Sequence, residues 1–194
     1  MNVSNEDARQ SLAAISDTKA RTYKSIAAAY TGPSLILWGA IWIAAFLGTH
    51  FFLAWVWHIW MSLSGLGVIA TFLICWRQFR AGTPTRSVDS KKIGWRIFWF
   101  WSLLFTYLFI WLKIFSPFSG LQCNAFICTT VMFAFVITGL WMESRFMVWL
   151  GLAVTATTLV GFYLIDHSYY CLWMALTAGG ALLGTGLYIR LRWR

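Results

Sequence analysis

Three histidines and four cysteines are the side chains of this 194-residue chain best suited to soft-metal or redox chemistry. Cys123 and Cys128 stand five apart in "QCNAFIC", between two long apolar runs, and His167 precedes Cys171 by four in "HSYYC". In an oxidising compartment the chemistry expected of Cys123, Cys128 and Cys171 is a disulfide. Five positions on a regular helix turn two side chains about 140° apart. A Cys123–Cys128 bridge therefore requires irregular backbone, which Gly120 and Asn124 permit. Pairing of either with Cys171 is equally compatible with the sequence, and each pairing leaves an odd thiol.

The competing chemistry is metal binding. His167 and Cys171 share one face if a helix begins before Asp166, and His50, His58 or a further thiol would complete a nitrogen–sulfur set suited to copper or zinc. A pair of histidines would serve haem equally well. No C-x-x-C or H-x-x-x-H pair occurs, so the expectation is no cofactor, with interfacial histidines beside a disulfide or inert thiols. Catalysis has less support. Asp166, His167 and Ser168 are consecutive, and neighbours in sequence rarely converge on one point. H-E-x-x-H and G-x-S-x-G motifs are absent, which leads to the expectation of a protein that is not an enzyme.

The elements that must position these residues are oily. The chain is 60% hydrophobic and 11% charged, with a mean hydropathy of +0.68, far from the soluble balance of about 45–50% apolar and about 25% charged. Apolar runs near 33–52, 54–76, 96–115, 125–142, 146–165 and 169–189 each approach the roughly 20 residues that cross a bilayer. They lack the dyad alternation of a membrane barrel. The expected fold is an all-α bundle of six transmembrane helices over 33–194, preceded by a segment, 1–32, with an amphipathic helix. In that segment Leu12, Ile15, Lys19, Tyr23, Ile26 and Tyr30 recur at spacings of three and four, and Ser4 suits an N-cap.

Charge orients the bundle. With six spans, fourteen of the fifteen Lys and Arg residues fall on one side and only Lys113 on the other. Positive residues accumulate in cytoplasmic loops, so both termini are expected in the cytoplasm. The net charge of +9 is then accounted for by anionic lipid headgroups as partners, with no nucleic acid required. Trp55, Trp57 and Trp60 on one side, with Trp76, Trp95, Trp141, Trp149 and Trp193 on the other, suit interfacial belts. On this topology His50, His58, His167, Cys123, Cys128 and Cys171 face outward, and Cys75 lies at the cytoplasmic end.

Ionisable side chains avoid the span interiors: Lys113, Glu143, Arg145 and Asp166 all fall near ends. Proton-coupled pumps and carriers of charged substrates place such groups at depth, so those classes are disfavoured, while a pore for a neutral solute is not. Ser62, Ser64, Thr129, Thr130, Thr138, Thr155, Thr157 and Thr158 are expected to serve helix packing or, in the transport reading, to line a path. Gly65 and Gly67, with Gly180 and Gly184 in G-x-x-x-G spacing, are the expected points of close helix approach, within the bundle or between subunits of a homo-oligomer or larger membrane complex.

Leu37, Trp38 and Gly39 open the first run, and His50 and Phe51 end it, after a charged amphipathic segment. In this the chain resembles a group of small uncharacterised bacterial six-helix membrane proteins with a Leu-Trp-Gly opening to the first span. The resemblance implies a bacterial inner-membrane location and an accessory or regulatory role, since such genes often accompany winged-helix regulators or transporters. It carries over no catalytic residue.

Overall fold

A computed structural model describes residues 6, 9–15, 17–18, 31–80 and 88–192. Among these the regular structure is helical, with six helices long and apolar enough to cross a membrane. They are α1 (Gly32–Phe51), α2 (Val56–Arg80), α3 (Val88–Ile114), α4 (Gly120–Trp141), α5 (Arg145–Leu164) and α6 (Tyr170–Arg192). A short 3₁₀ turn, Leu53–Trp55, leads into α2. Residues 9–15 are helical, whereas most of the expected amphipathic stripe, including Lys19, Tyr23, Ile26 and Tyr30, lies outside the described residues. So do residues 81–87, between the second and third apolar runs.

The spine of the bundle is the pair α1 and α6. Gly32 and Gly39 on α1 are seven residues apart, as are Gly179 and Gly186 on α6. A Cβ on Gly39 would overlap the Leu183 backbone nitrogen and lie 2.8 Å from its Cα, and one on Gly186 would stand 2.7 Å from Ile36 N and 2.8 Å from Gly32 O. A Cβ on Gly179 would reach Ile43 Cγ1 at 2.6 Å. Early positions of α1 meet late positions of α6, so the two run antiparallel with backbones in near contact, an approach open only to small residues.

A π-helical turn, Ala175–Gly179, keeps α6 in phase with its neighbours. Tyr170, Met174, Ala178, Leu182 and Gly186 are all buried and recur every four residues. On a straight α-helix four such steps drift about 160°, and the residue added by a π turn takes back about 100°. One stripe thus stays on the core from end to end.

The second tight pair is α4 and α5, joined by Met142–Ser144. Ser144 N–H donates to Gly139 O at 2.8 Å and Glu143 N–H to Leu140 O at 3.2 Å, with Glu143 at φ 53°. This is a Schellman closure with Glu where glycine is usual. Gly151 lets α5 approach the Met132 carbonyl, 2.9 Å from an added Cβ, and Gly139 lets Val148 N approach to 2.9 Å. Between the pairs, Cys128, Met132, Val154, Tyr170 and Met174 are all 2% exposed or less.

α2 packs on α1, and α3 packs on α4, each as an outer helix. Trp38 Nε1 donates to Thr71 Oγ1 at 3.1 Å and Trp60 Nε1 to Thr49 Oγ1 at 3.0 Å, pinning α2. α3 rests on rings: Phe100 on Trp141 at 5.0 Å, Trp101 on Phe135 at 5.8 Å, and Trp111 on Phe126 at 6.1 Å. These contacts fix every helix direction. Arg77, Arg80, Arg96, Arg145, Arg190 and Arg192 gather at one end of the bundle, and His50, His58, Lys113, Cys123, Asp166, His167 and Cys171 lie at the opposite end.

The close approaches differ in phase from the expected ones. Gly67 does pack, an added Cβ lying 2.6 Å from Ile41 Cδ1, but Gly65, Gly180 and Gly184 face open space within the chain. Gly179 and Gly186 take the role because the π turn sets which face of α6 meets α1. Gly186→Leu should therefore lower stability by about 3 kcal/mol or more, since backbone rather than a flexible side chain stands in the way. Gly184→Leu should change it by less than about 0.5 kcal/mol. Unfolding of the two variants in mixed micelles checks the contrast.

Candidate functional site

The residues with chemical potential at the histidine and cysteine end are placed by two local devices. Ser119 and Gln122 form a reciprocal capping box, Gln122 N–H donating to Ser119 Oγ at 3.2 Å and Ser119 N–H to Gln122 Oε1 at 3.2 Å. This satisfies orphan amides and starts α4 at Gly120, five residues before the expected 125. Cys123 and Cys128 are therefore helical, not in a link, and point about 140° apart. That rules out the irregular backbone a bridge between them requires, and all four cysteines carry free thiols.

The second device is at Asp166. Its Oδ1 accepts the Ser168 N–H at 2.8 Å, and the Asp166 carbonyl accepts the Tyr169 N–H at 2.9 Å. This Asx turn diverts the chain, so α6 begins at Tyr170. His167 precedes the helix and shares no helical face with Cys171, contrary to the arrangement the metal reading needs.

Two of the three histidines are engaged with a ring close by in sequence. His50 meets Phe51 edge-on at 4.9 Å, and His58 tilts against Trp55 at 5.4 Å. Among the described residues no three His, Cys, Asp or Glu side chains converge as a metal set would. His50, His58, His167 and Cys171 share an end of the bundle but do not come together as a ligand set of that kind.

What does converge is a polar lock between α4 and α6. The Tyr170 hydroxyl, on a residue 2% exposed, donates to Asn124 Oδ1 at 3.0 Å, and the Cys128 thiol donates to the same oxygen at 3.6 Å. α4 and α6 both start at this end and run parallel, so Asn124 lies level with Tyr170. Beside it Trp173 Nε1 donates to the Thr157 carbonyl of α5 at 2.9 Å. Gly161 gives that indole its berth, an added Cβ lying 2.6 Å from Trp173 Cδ1. Together these bonds tie the start of α6 to α4 and α5 and set the phase of the π turn one step below.

Neither Asn124 nor Tyr170 stood out in the sequence as a site residue, although an amide inside an apolar run is itself a signal, because a buried amide must find a partner. The hydroxyls that did stand out bond mostly along their own helices. Ser62 donates to His58 O, Thr129 to Ala125 O, Thr155 to Gly151 O, and Thr157 and Thr158 to Val154 O. Thr138 Oγ1 is buried without a partner. Among the described serine and threonine hydroxyls, those that bridge helices are Thr49 and Thr71, each accepting from a tryptophan.

Two measurements test this region. A double-mutant cycle of Tyr170→Phe and Asn124→Ala should give a coupling of about 0.6 kcal/mol, with an upper bound near 1.7 kcal/mol, the range for hydrogen bonds between membrane helices. Separately, the Asp166 carboxyl lies below the usual carboxylate range, held there by the Ser168 backbone N–H first, then the Ser168 hydroxyl and the neighbouring His167. A folded-state value below the unfolded one contributes stability above the unfolded value and loses it as pH falls through the folded one. An NMR titration should show the Asp166 midpoint below that of a model peptide, and Ser168→Gly should raise it by removing the hydroxyl's share.

Comparison with protein-family models, with curated proteins and with solved structures gives no match to this chain.

Proposed function

We propose that this chain is a multi-pass protein of the bacterial inner membrane, with both termini and the arginine-rich end in the cytoplasm. In this reading it has no catalytic activity of its own and acts as an accessory or regulatory subunit. Its basic face and N-terminal segment engage anionic lipid headgroups and a membrane partner, which is either a second copy or a larger complex.

The observation that carries the reading is the segregation of charge: Arg77, Arg80, Arg96, Arg145, Arg190 and Arg192 share one end, where helices of alternating direction deliver them from four separate segments. Cations held at one level of a bundle match the negative cytoplasmic leaflet. The packing supports the non-catalytic part. Backbones interlock through glycine at the centre, and the Cys128 thiol, near the histidine and cysteine end, serves an interhelical lock. Transport of a neutral solute draws less support, because most of the hydroxyls proposed as its path bond to carbonyls of their own helices.

Topology mapping tests the reading first. A reporter active only outside the cytoplasm should be silent when fused at residue 194 and active when fused after residue 166. The opposite pattern would reverse the orientation and remove the basis for the cytoplasmic role. Purification from native membranes in mild detergent should then yield a partner at fixed stoichiometry, lost when Arg145, Arg190 and Arg192 are replaced by Ala.

A further inference from the structure

The connection between α1 and α2 differs from the other two at the histidine and cysteine end. Phe51, Phe52, Leu53, Trp55 and Trp57 are 61–72% exposed, and from Phe51 to Trp57 the two indole nitrogens are the only polar side-chain atoms. The α3–α4 connection exposes Ser116 and Ser119, and the α5–α6 connection exposes Asp166, His167 and Ser168. Height does not account for the difference. Gly39 lies against Leu183 and Gly179 against Ile43, so the antiparallel pairing brings the end of α1 level with the start of α6, where the Asp166 turn stands.

The backbone of this turn bonds to itself. Phe52 N–H donates to Gly48 O at 2.8 Å, Trp55 N–H to Phe52 O at 2.9 Å, and Val56 N–H to Leu53 O. Amides that a polar loop would offer to water are taken up within the chain, as contact with hydrocarbon demands. Among the described residues α2 packs on α1 and on no other spanning helix, so the turn lies at an edge of the bundle. On one face of α2 the exposed residues Trp57, Met61, Gly65, Val68 and Phe72 follow at spacings of three and four. The apolar surface of the turn therefore continues down the span, and the lipid that covers the one covers the other.

We propose that the turn from Phe51 to Trp57 is a lipid anchor, inserted at the boundary of headgroups and acyl chains, so that this flank of the bundle sinks into the leaflet while the Asp166 turn stays in water. Uncharged aromatic side chains on a self-bonded backbone are the chemistry that this boundary holds. The anchor goes further than a tryptophan belt, whose rings sit at the headgroup level, because the whole connection between two spans is submerged. Interfacial anchors of this kind set how a bundle tilts, and the partner is the leaflet itself. The inference holds for either orientation of the termini and rests only on the six spans crossing a bilayer, so its failure and that of the topology mapping are separate results.

The test uses the full-length protein in phosphatidylcholine nanodiscs, labelled from two sides and mapped by mass spectrometry. Hydroxyl radicals generated in the water label aromatic rings that water reaches, and carbenes carried on the acyl chains label what lipid touches. Tyr169, 62% exposed beside Asp166, is the matched control. The expected result is hydroxylation of Tyr169 with none above background on Phe51, Phe52, Trp55 and Trp57, together with carbene adducts on residues 51–57. Hydroxylation of the turn to the extent seen at Tyr169 would overturn the proposal. So would a turn silent to both labels, or one cross-linked to a second copy of the chain, since each puts protein over it in place of lipid. Silence of Tyr169 along with the turn would overturn it as well, because the α1–α2 flank would then sit no deeper than the rest.

Discussion

The contact on which the bundle depends is the interlock of Gly32 and Gly39 with Gly179 and Gly186. In a bilayer, apolar surface gains nothing by leaving lipid for another helix, so association rests on van der Waals contact and interhelical hydrogen bonds. Two backbones that nearly touch gather the greatest number of such contacts, and an added Cβ at Gly39 or Gly186 would run into backbone atoms of the opposite helix. The spacing of seven on both helices repeats the contact two turns later, which fixes register as well as proximity.

Other features are adjusted to that contact. The π turn at Ala175–Gly179 ends at one of the interlocking glycines and allows the first part of α6 to present Tyr170 and Met174 to the core while the later part presents Gly186 to α1. The Tyr170–Asn124 and Trp173–Thr157 bonds hold that first part in phase. The polar atoms at this end therefore serve geometry: a phenol and a thiol both donate to one amide oxygen. α2 and α3, which make no part of the interlock, are held by tryptophan hydrogen bonds and by edge-on and stacked ring contacts and remain exposed on their other faces.

The coarse plan was legible in the sequence because it depends on totals. Six runs of apolar residues give six helices, with boundaries displaced by a few residues at most of the ends. What was not legible depends on phase and on local hydrogen bonds. "GGALLGTG" offers Gly179, Gly180, Gly184 and Gly186, and only the π turn decides that the first and last face α1. The start of α4 was misplaced because apolar content begins at Ala125, whereas the helix is started by the Ser119–Gln122 capping box among polar residues. The Asx turn of Asp166 likewise ended any helix before His167. Both devices were present in the residue types, Ser followed three later by Gln and Asp followed two later by Ser, but hydropathy does not register them.

The most direct test of this account is solid-state NMR of the protein in lipid bilayers, with glycine, leucine and isoleucine labelled at their α-carbons. The interlock predicts cross-peaks between Gly39 and Leu183 and between Gly186 and Ile36, the pairs at which the two backbones nearly touch. If those peaks are absent while neighbouring intrahelical correlations are resolved, or if Gly180 or Gly184 correlates with α1 in their place, then α6 meets α1 through a different face and the spine described above is wrong.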